Sequence, residues 1–148
     1  MRPDYQIQTV HDSESDFRSA MERVHAWLGE HAGEHGVSDD MQALGWEARL
    51  EGKTVGILTG RLMWNWIFIK MLAVAPGHRS QGIGRMLMEN VETYAADNQL
   101  TGIHLDTFTY QAPAFYEKLG YVEFGRLTDL PPGHTRIYYA KRLKTKGN

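Results

Sequence analysis

Two glycines near the middle of the chain are the first residues whose spacing points to chemistry. Gly82 and Gly84 open a segment, IGRMLMENVETYA, whose apolar residues recur at helical spacing. Glycine inside a helix costs about 1 kcal/mol relative to alanine, so two of them at one end need a reason. The first turn of a helix leaves amide hydrogens unpaired, and the helix dipole is positive there. Glycines at that point let a diphosphate approach the backbone, and the pattern predicts an anion-binding turn.

Other phosphate motifs fit the same stretch less well. Arg79 and Arg85 flank the turn with positive charge, but a P-loop requires Gly-Lys-Ser/Thr and this chain reads Gly-Arg-Met. A dinucleotide-binding turn has a third glycine where this chain has Leu87, although Asp106 stands about 20 residues on, as a ribose-binding acid would. The antiparallel strands predicted on both sides argue against that fold. A glycine-rich connection that binds no ligand stays open as an alternative.

Hydrophobic periodicity predicts the elements that must position this turn. Their order, β-α-(α)-β-β-β-α-β-α-β-β, gives an α/β protein with a mixed, mainly antiparallel sheet and helices on both faces. The chain begins with a short strand, YQIQTV, and a helix that follows the capping residues DSESD. WIFIKMLAV is apolar on both faces, as in a central strand. APAFYEKLG forms a short helix with a proline near its start and Gly120 as its stop.

Composition sets the broad class of protein. The chain has 148 residues, a net charge of −2 and no cysteine, which predicts one cytoplasmic domain over residues 1–148 without disulfides or a cysteine nucleophile. The charge does not favour nucleic acid, and no apolar run reaches the roughly 20 residues of a membrane helix. HAGEH, residues 31–35, has the H-x-x-E-H spacing of a zinc site within a glycine-punctuated connection. Those glycines argue against the firm helix that such a site needs, so no metal is predicted.

Two motifs resemble those of the GNAT superfamily of acyl-CoA-dependent N-acyltransferases. LAVAPGHRSQGIGRMLM is similar to motif A of that superfamily, Arg/Gln-x-x-Gly-x-Gly/Ala, with Arg79, Gly82 and Gly84 at the matching positions. APAFYEKLGYVEFG resembles motif B, and the order of elements matches over most of the chain. The resemblance implies a GNAT-like α/β fold and acetyl-CoA as the acyl-donor co-substrate.

The resemblance also implies where acetyl-CoA binds. Backbone groups of the strand that ends in LAV would pair with the pantetheine arm, and amides of the glycine turn would hold the pyrophosphate. The motif B helix would lie near the rest of the coenzyme, and Thr109 stands where the family often has an asparagine that contacts pantetheine. The implied cofactor-binding residues are Leu72, Ala73, Val74, Arg79, Ser80, Gln81, Gly82, Ile83, Gly84, Arg85, Thr109, Phe115 and Lys118.

The chemistry of acyl transfer defines the catalytic groups to look for. An amine that attacks a thioester forms a tetrahedral oxyanion and then expels a thiolate, so the site needs an oxyanion donor and a proton for sulfur. In the family, the general acid occupies the position of Tyr116. A tyrosine has a pKa of about 10 and is protonated at pH 7. A backbone amide near Leu72 is the expected oxyanion donor, while packing beside Phe115 is the alternative role of Tyr116.

The base that receives the amine's proton is less defined by the sequence. Many members of the superfamily carry a carboxylate just before the LAV stretch, where this chain has Lys70 and Met71. Asp106, at the end of the strand GIHLDTF, and His134, in the PPGHTR loop, are the predicted catalytic alternatives, with Glu47 as a third. A chain of water molecules to bulk solvent would also serve.

These observations together predict an acetyl-CoA-dependent N-acetyltransferase that moves an acetyl group directly to a primary amine in a ternary complex. A small-molecule acceptor is favoured because the chain is minimal and has no acidic or basic docking face. The alternatives are a protein N-terminal or lysine acetyltransferase and a non-catalytic acyl-CoA sensor, which would not depend on Tyr116. Trp64 and Trp66, at a predicted hairpin, suit edge packing, an acceptor site or a homodimer contact.

Overall fold

The computed structural model describes residues 1 and 3–144, and it divides the chain into two compact units, Met1–Asp39 and Asp40–Asn148. The first unit contains helix α1, Glu14–Glu34, whose first turn is closed by the Ser13 hydroxyl accepting from the Asp16 amide at 3.3 Å. In the part of the chain described, no helix has the length and apolarity that a membrane crossing requires. A single acetyltransferase domain over residues 1–148 stays a prediction.

Two predictions for the first unit are wrong. YQIQTV, residues 5–10, forms no strand, because residues 1–39 contain no second strand in the described structure to accept its hydrogen bonds. The segment predicted as a connection is helical through Glu34, since its isolated glycines lie among good helix formers, and α1 ends only before Gly36, at a φ of 70°. His31 and His35 therefore lie one turn apart, with ring centroids at 4.7 Å, and the described residues contain no three-ligand metal cluster.

The second unit is built on a six-stranded sheet with the order β1-β2-β3-β4-β6-β5. Strands β3 and β4 are parallel and the other neighbours are antiparallel, which confirms the predicted α/β class with a mixed, mainly antiparallel sheet. The elements of the unit are β1 Met41–Leu50, β2 Lys53–Met63, β3 Trp66–Val74, α2 Ile83–Asp97, β4 Gly102–Phe108, α3 Pro113–Lys118, β5 Val122–Thr128 and β6 Thr135–Arg142.

The core of this unit lies between α2 and one face of the sheet. Side chains alternate between the two faces along a strand, and one set on β2, β3, β4 and β6 is buried together with the apolar stripe of α2. The fully buried residues with the largest side chains are Tyr139, Leu58, Ile67, Met88, Ile103, Leu105 and Val91. This packing fixes the position of α2, and therefore of its first turn, over the centre of the sheet.

A single extra residue in β3 shapes the centre of the sheet. Thr59 is paired with Met71 and Gly60 with Ile69, so Lys70 has no partner on β2 and forms a β-bulge. A bulge bends its strand and exchanges which residues point to each face. Before the bulge, Ile67 and Ile69 face the core, whereas Leu72 packs against the core after it.

The parallel pair β3–β4 separates at the same place. Its last paired residues are Ile69 and Leu105, after which β3 follows β2 and β4 follows β6. The backbone of β3 from Lys70 to Val74 therefore has no strand partner on its β4 side in the described chain. We call this opening the β3–β4 wedge.

Candidate active site

The turn that precedes α2 exposes backbone amides beside the wedge. Gly82 is the N-cap of α2 in the left-handed conformation, with a φ of 79°, and no side chain caps the helix. The first turn contains no acidic residue, and the Met86 amide makes the first helical bond, to the Gly82 carbonyl at 3.0 Å. The amides of Ile83, Gly84 and Arg85 precede that bond and have no helical acceptor. They form a positive helix terminus of the kind that accepts an anion.

Both motif regions meet at this turn. A Cβ built on Gly84 would lie 3.4 Å from the Phe115 ring and 3.9 Å from a methyl group of Val74. The start of α2, helix α3 and the free end of β3 therefore surround one place, which gathers three of the residues predicted to bind the cofactor. Gly77, with a φ of 86°, and Ser80, with a φ of 61°, give the connecting loop two further left-handed residues.

The remaining predicted cofactor residues differ in how they are held. Arg85 is exposed and its side chain pairs with Glu89 at 2.8 Å along α2. The Thr109 hydroxyl accepts from the Thr135 amide at 3.0 Å, and the Thr109 amide donates to the Thr135 carbonyl at 3.0 Å. Thr109 therefore ties the end of β4 to β6 through both its backbone and its side chain. The other predicted cofactor residues are spread over four parts of the chain. These are β3 (Leu72 and Ala73), the loop before α2 (Arg79 and Gln81), α2 (Ile83) and α3 (Lys118).

Three tyrosines pack together beside the wedge, and one of them differs from the other two. The Tyr121 hydroxyl donates to Glu92 at 3.1 Å, and the Tyr139 hydroxyl donates to Glu117 at 2.9 Å. The ring of Tyr116 lies 6.1 Å from that of Tyr121 and 6.3 Å from that of Tyr139, yet no described residue hydrogen-bonds its hydroxyl.

Burial changes the acidity of that free hydroxyl. Desolvation, with a smaller contribution from the negative charge of Asp106, raises the pKa of Tyr116 to about 12. Tyr116 is therefore protonated throughout the physiological range and available to donate a hydrogen bond.

The predicted bases are already engaged with other groups. Asp106 accepts a hydrogen bond from the Arg136 guanidinium at 2.8 Å, and this ion pair is largely buried. Glu47 pairs with Arg49 at 2.9 Å on the exposed part of β1. His134 lies in the loop between β5 and β6, where its ring packs edge-on against Tyr110 at 5.0 Å.

His104 is a functional candidate that sequence reasoning missed. Its ring lies 5.1 Å from Phe68 and 6.0 Å from Trp66, on the same face of β4 as Asp106. Burial and the nearby positive charge of Arg61 lower its pKa, while Asp106 opposes them more weakly. His104 is thus neutral at pH 7. In the sequence it is one polar residue in the strand pattern GIHLDTF, with no motif around it.

His104 lines a cavity on the face of the sheet that points away from α2. The cavity has a volume of about 420 Å³ and is open to solvent. We call it the aromatic groove, and it is lined by Arg61, Met63, Trp64, Trp66, Phe68, His104, Phe124 and Ala140.

Comparison with known proteins identifies the family. Residues 5–121 match the acetyltransferase (GNAT) family, so the chain belongs to that family and is an N-acetyltransferase. The chain is 33% identical over 93 residues to blasticidin-S acetyltransferase of Streptomyces morookaense, which covers 62% of this chain and 68% of that one.

Solved structures agree with this assignment. An acetyltransferase from Bacillus cereus superposes with a TM-score of 0.78 at 27% identity, over 94% of this chain and 98% of that one. A second acetyltransferase structure, from Bacillus anthracis, is in complex with acetyl coenzyme A. It has a TM-score of 0.62 at 24% identity, over 68% of this chain and 62% of that one. The family resemblance predicted from the two sequence motifs is confirmed.

Proposed function

We propose that the protein transfers the acetyl group of acetyl-CoA directly to the primary amine of a small molecule. The observation that carries the proposal is the β3–β4 wedge, which opens beside an uncapped helix terminus and a tyrosine with an uncommitted hydroxyl. The relative that acts on blasticidin S supports an acceptor of small size. The absence of cysteine from the sequence excludes a cysteine acyl-enzyme and favours transfer within a ternary complex.

The donor half of the site would use the backbone. Amides at Ile83, Gly84 and Arg85 would bind the pyrophosphate of acetyl-CoA, with Arg79 adding positive charge. The unpaired backbone of Leu72–Val74 would bind the pantetheine arm as a strand does, and an amide of this segment would donate to the oxyanion. Phe115, in contact with the start of α2, would form the adjoining wall.

Tyr116 would stabilise the leaving sulfur. Burial raises the pKa of Tyr116 to about 12, well above the pKa of about 8.5 of a thiol, so full proton transfer from the tyrosine to the thiolate is unfavourable. The hydroxyl would therefore keep its proton and donate a hydrogen bond to the developing thiolate. The proton that ends on sulfur is the one that the amine gives up.

His104 would receive that proton first. Asp106 is held by Arg136, whereas His104 is neutral and has no hydrogen-bond partner among the described residues. In the balanced reaction, the amine nitrogen bonds to the carbonyl carbon and the carbon–sulfur bond breaks. One proton moves from nitrogen through His104 to the thiolate, leaving an N-acetyl amine and free CoA.

Titration with acetyl-CoA, CoA and NAD, followed by an amine panel, tests the proposal. We expect acetyl-CoA and CoA to raise the melting temperature and NAD to leave it unchanged, because NAD has a pyrophosphate but no pantetheine arm to pair with the unpaired backbone of β3. Small amines should then release free thiol. Binding without thiol release for any amine would indicate a sensor, and turnover only with peptides would indicate a protein acetyltransferase.

A further inference from the structure

The aromatic groove is one continuous row of side chains across the sheet. Arg61, Phe68, His104 and Ala140 are register partners on β2, β3, β4 and β6. Side chains at such positions on neighbouring strands stand side by side on one face. The groove is therefore formed by regular strands, and its shape is fixed by the same hydrogen bonds that hold the sheet together.

The groove reaches the point where β3 and β4 separate. Phe68 and His104 are paired one register step before Ile69 and Leu105, the last pair of the parallel strands. A molecule in the groove would thus lie at the narrow end of the β3–β4 wedge, on the face of the sheet opposite α2. The acetyl group in the wedge and an amine in the groove can meet there.

Two cations of the groove face are stacked on aromatic rings and form no ion pair with an acidic residue in the part of the chain that the structure describes. The Arg61 guanidinium carbon lies 5.1 Å from the centre of the Phe68 ring, and that of Arg142 lies 5.3 Å from the Trp66 ring. Within residues 3–144, neither forms an ion pair, whereas Arg136 pairs with Asp106. A guanidinium stacked on a ring keeps its edge N–H groups available to a planar anion such as a carboxylate.

The residues that line the groove include no carboxylate of their own. Its chemistry is therefore aromatic and positive, with a neutral imidazole at the centre. A polycationic acceptor would meet like charge at Arg61, whereas a planar ring would stack against Trp66 and Phe68. A carboxylate on that ring would form an ion pair with the Arg61 guanidinium.

We infer that the aromatic groove binds the amine acceptor, and that this acceptor combines a planar ring with a carboxylate. The inference rests on the proposed acetyl transfer and adds the class of acceptor to it. The ring lies along Trp66 and Phe68, the carboxylate binds Arg61, and the amine faces His104.

Three amines of matched size separate the two features. 4-(Aminomethyl)benzoate carries both the planar ring and the carboxylate, 4-methylbenzylamine lacks the acid, and trans-4-(aminomethyl)cyclohexanecarboxylate lacks the planarity. With acetyl-CoA as donor, we expect kcat/KM, calculated on the neutral amine, to be at least about tenfold higher for the first than for either other, as expected for one lost interaction of about 1.4 kcal/mol. Equal values for all three amines would overturn the inference.

Variants assign each preference to a side chain. Arg61→Gln should bring the ratio of kcat/KM for 4-(aminomethyl)benzoate to that for 4-methylbenzylamine down to about one. The ratio isolates the lost contact with the carboxylate, because any change in the pKa of His104 affects both amines alike. Lys53→Gln, which removes a positive charge at the other end of the same strand, should leave this ratio unchanged. Phe68→Leu should reduce the preference for the planar ring, because it removes one of the two rings along which the acceptor lies while keeping an apolar side chain of similar size. A preference for the acid that survives Arg61→Gln would exclude Arg61 as its cause.

A binding measurement separates this inference from the proposed function. 4-Methylbenzoate has no amine and cannot be acetylated, but it should shift the NMR signals of the His104 imidazole in the wild type and not in Arg61→Gln. If 4-methylbenzoate binds in this way and no amine releases thiol, the inferred ligand class stands and acetyl transfer is wrong. If amines are acetylated and 4-methylbenzoate does not shift His104, the transfer stands and the groove is not the acceptor site.

Discussion

The two halves of the site are made from different parts of the chain. The half assigned to acetyl-CoA is made of backbone: the turn at Gly82, the first amides of α2 and the unpaired edge of β3. The half assigned to the acceptor is made of side chains that project from five strands and the turn between β2 and β3. Backbone recognises what every acyl-CoA has in common, whereas side chains can differ from one relative to another. This difference would let one fold keep its donor and change its acceptor.

The largest effect should come from Tyr116, which we propose faces the reacting thioester at the junction of the two halves. Tyr116→Phe should lower kcat by between about 100- and 1000-fold, the range for losing one donor to developing negative charge, and leave the Kd for acetyl-CoA unchanged. Steady-state kinetics and calorimetry measure the two quantities.

Tyr139→Phe is the matched control for this change, because its hydroxyl is already bonded to Glu117. It should lower the free energy of unfolding by about 1 kcal/mol and keep kcat within about threefold. Equal losses of kcat in both variants would show that Tyr116 is only part of the aromatic packing.

His104 should give the next largest effect and a distinct pH dependence. His104→Gln should lower kcat by about 100-fold at pH 7, the low end for general-base catalysis. Because burial and Arg61 lower the pKa of His104 while Asp106 opposes them more weakly, the wild-type kcat at saturating acceptor should rise with pH only below about 6.5.

The alkaline side of the same profile reports on Tyr116. With a pKa of about 12, Tyr116 keeps its proton, so it should cause no loss of kcat below about pH 11. If the rise of kcat with pH on the acidic side is the same in His104→Gln as in the wild type, water or another group accepts the proton.

A smaller effect should follow from adding one methyl group to the glycine turn of the donor half. Gly82→Ala should raise the Kd for acetyl-CoA about tenfold, or about 1.4 kcal/mol, because alanine disfavours the left-handed conformation that directs the amides. Gly77→Ala is the control, since Gly77 lies in the same loop with a φ of 86°, and a Cβ on either glycine would meet no described atom within 4 Å. Isothermal titration calorimetry should show less than about a twofold change for Gly77→Ala. Equal changes in Kd for the two variants would mean that each substitution acts by straining the loop and that Gly82 has no specific role in binding.

The smallest effect should come from a hydrogen bond behind the site. The buried Thr107 hydroxyl donates to the Gln111 side-chain carbonyl at 3.0 Å, and the Phe108 amide donates to the same oxygen at 3.3 Å. Gln111→Ala would leave both donors unpaired and should lower the free energy of unfolding by about 1–2 kcal/mol in denaturant titrations. Because this turn leads into α3, kcat should fall only a few-fold. An unchanged stability would mean that water replaces the side chain.

The sequence predicted the donor half of the site better than the acceptor half. The donor half has a local signature, because a left-handed turn and an exposed helix terminus require glycine at defined positions, as at Gly82. The sheet was predicted for the same reason, since alternating and continuous apolar runs report burial along each strand. The acceptor half has no local signature. Arg61 and Phe68 face each other across one hairpin, but His104 lies far along the chain from both, and only the strand register brings the three together.

The wrong predictions at the start of the chain have a related cause. YQIQTV has the alternation of a strand, but a strand also needs a partner, and alternation does not say whether one is available. The segment around Gly33 was judged by its glycines, whereas helix formation sums over every residue of α1. Both errors came from judging a short segment by its own composition.

Lys70 is one residue more in β3 than the paired segment of β2 contains, and the shape of the candidate site depends on this extra residue. If the residue were deleted, Ile69 would be followed directly by Met71, and every later side chain would keep its partner and its face, with Leu72 opposite Leu58 and Val74 opposite Gly56. The course of the strand would change instead, because without the bulge β3 could straighten and continue pairing with β4. A chain shortened by this one residue should still form its sheet, but without the opening between β3 and β4 in which we propose that the thioester binds.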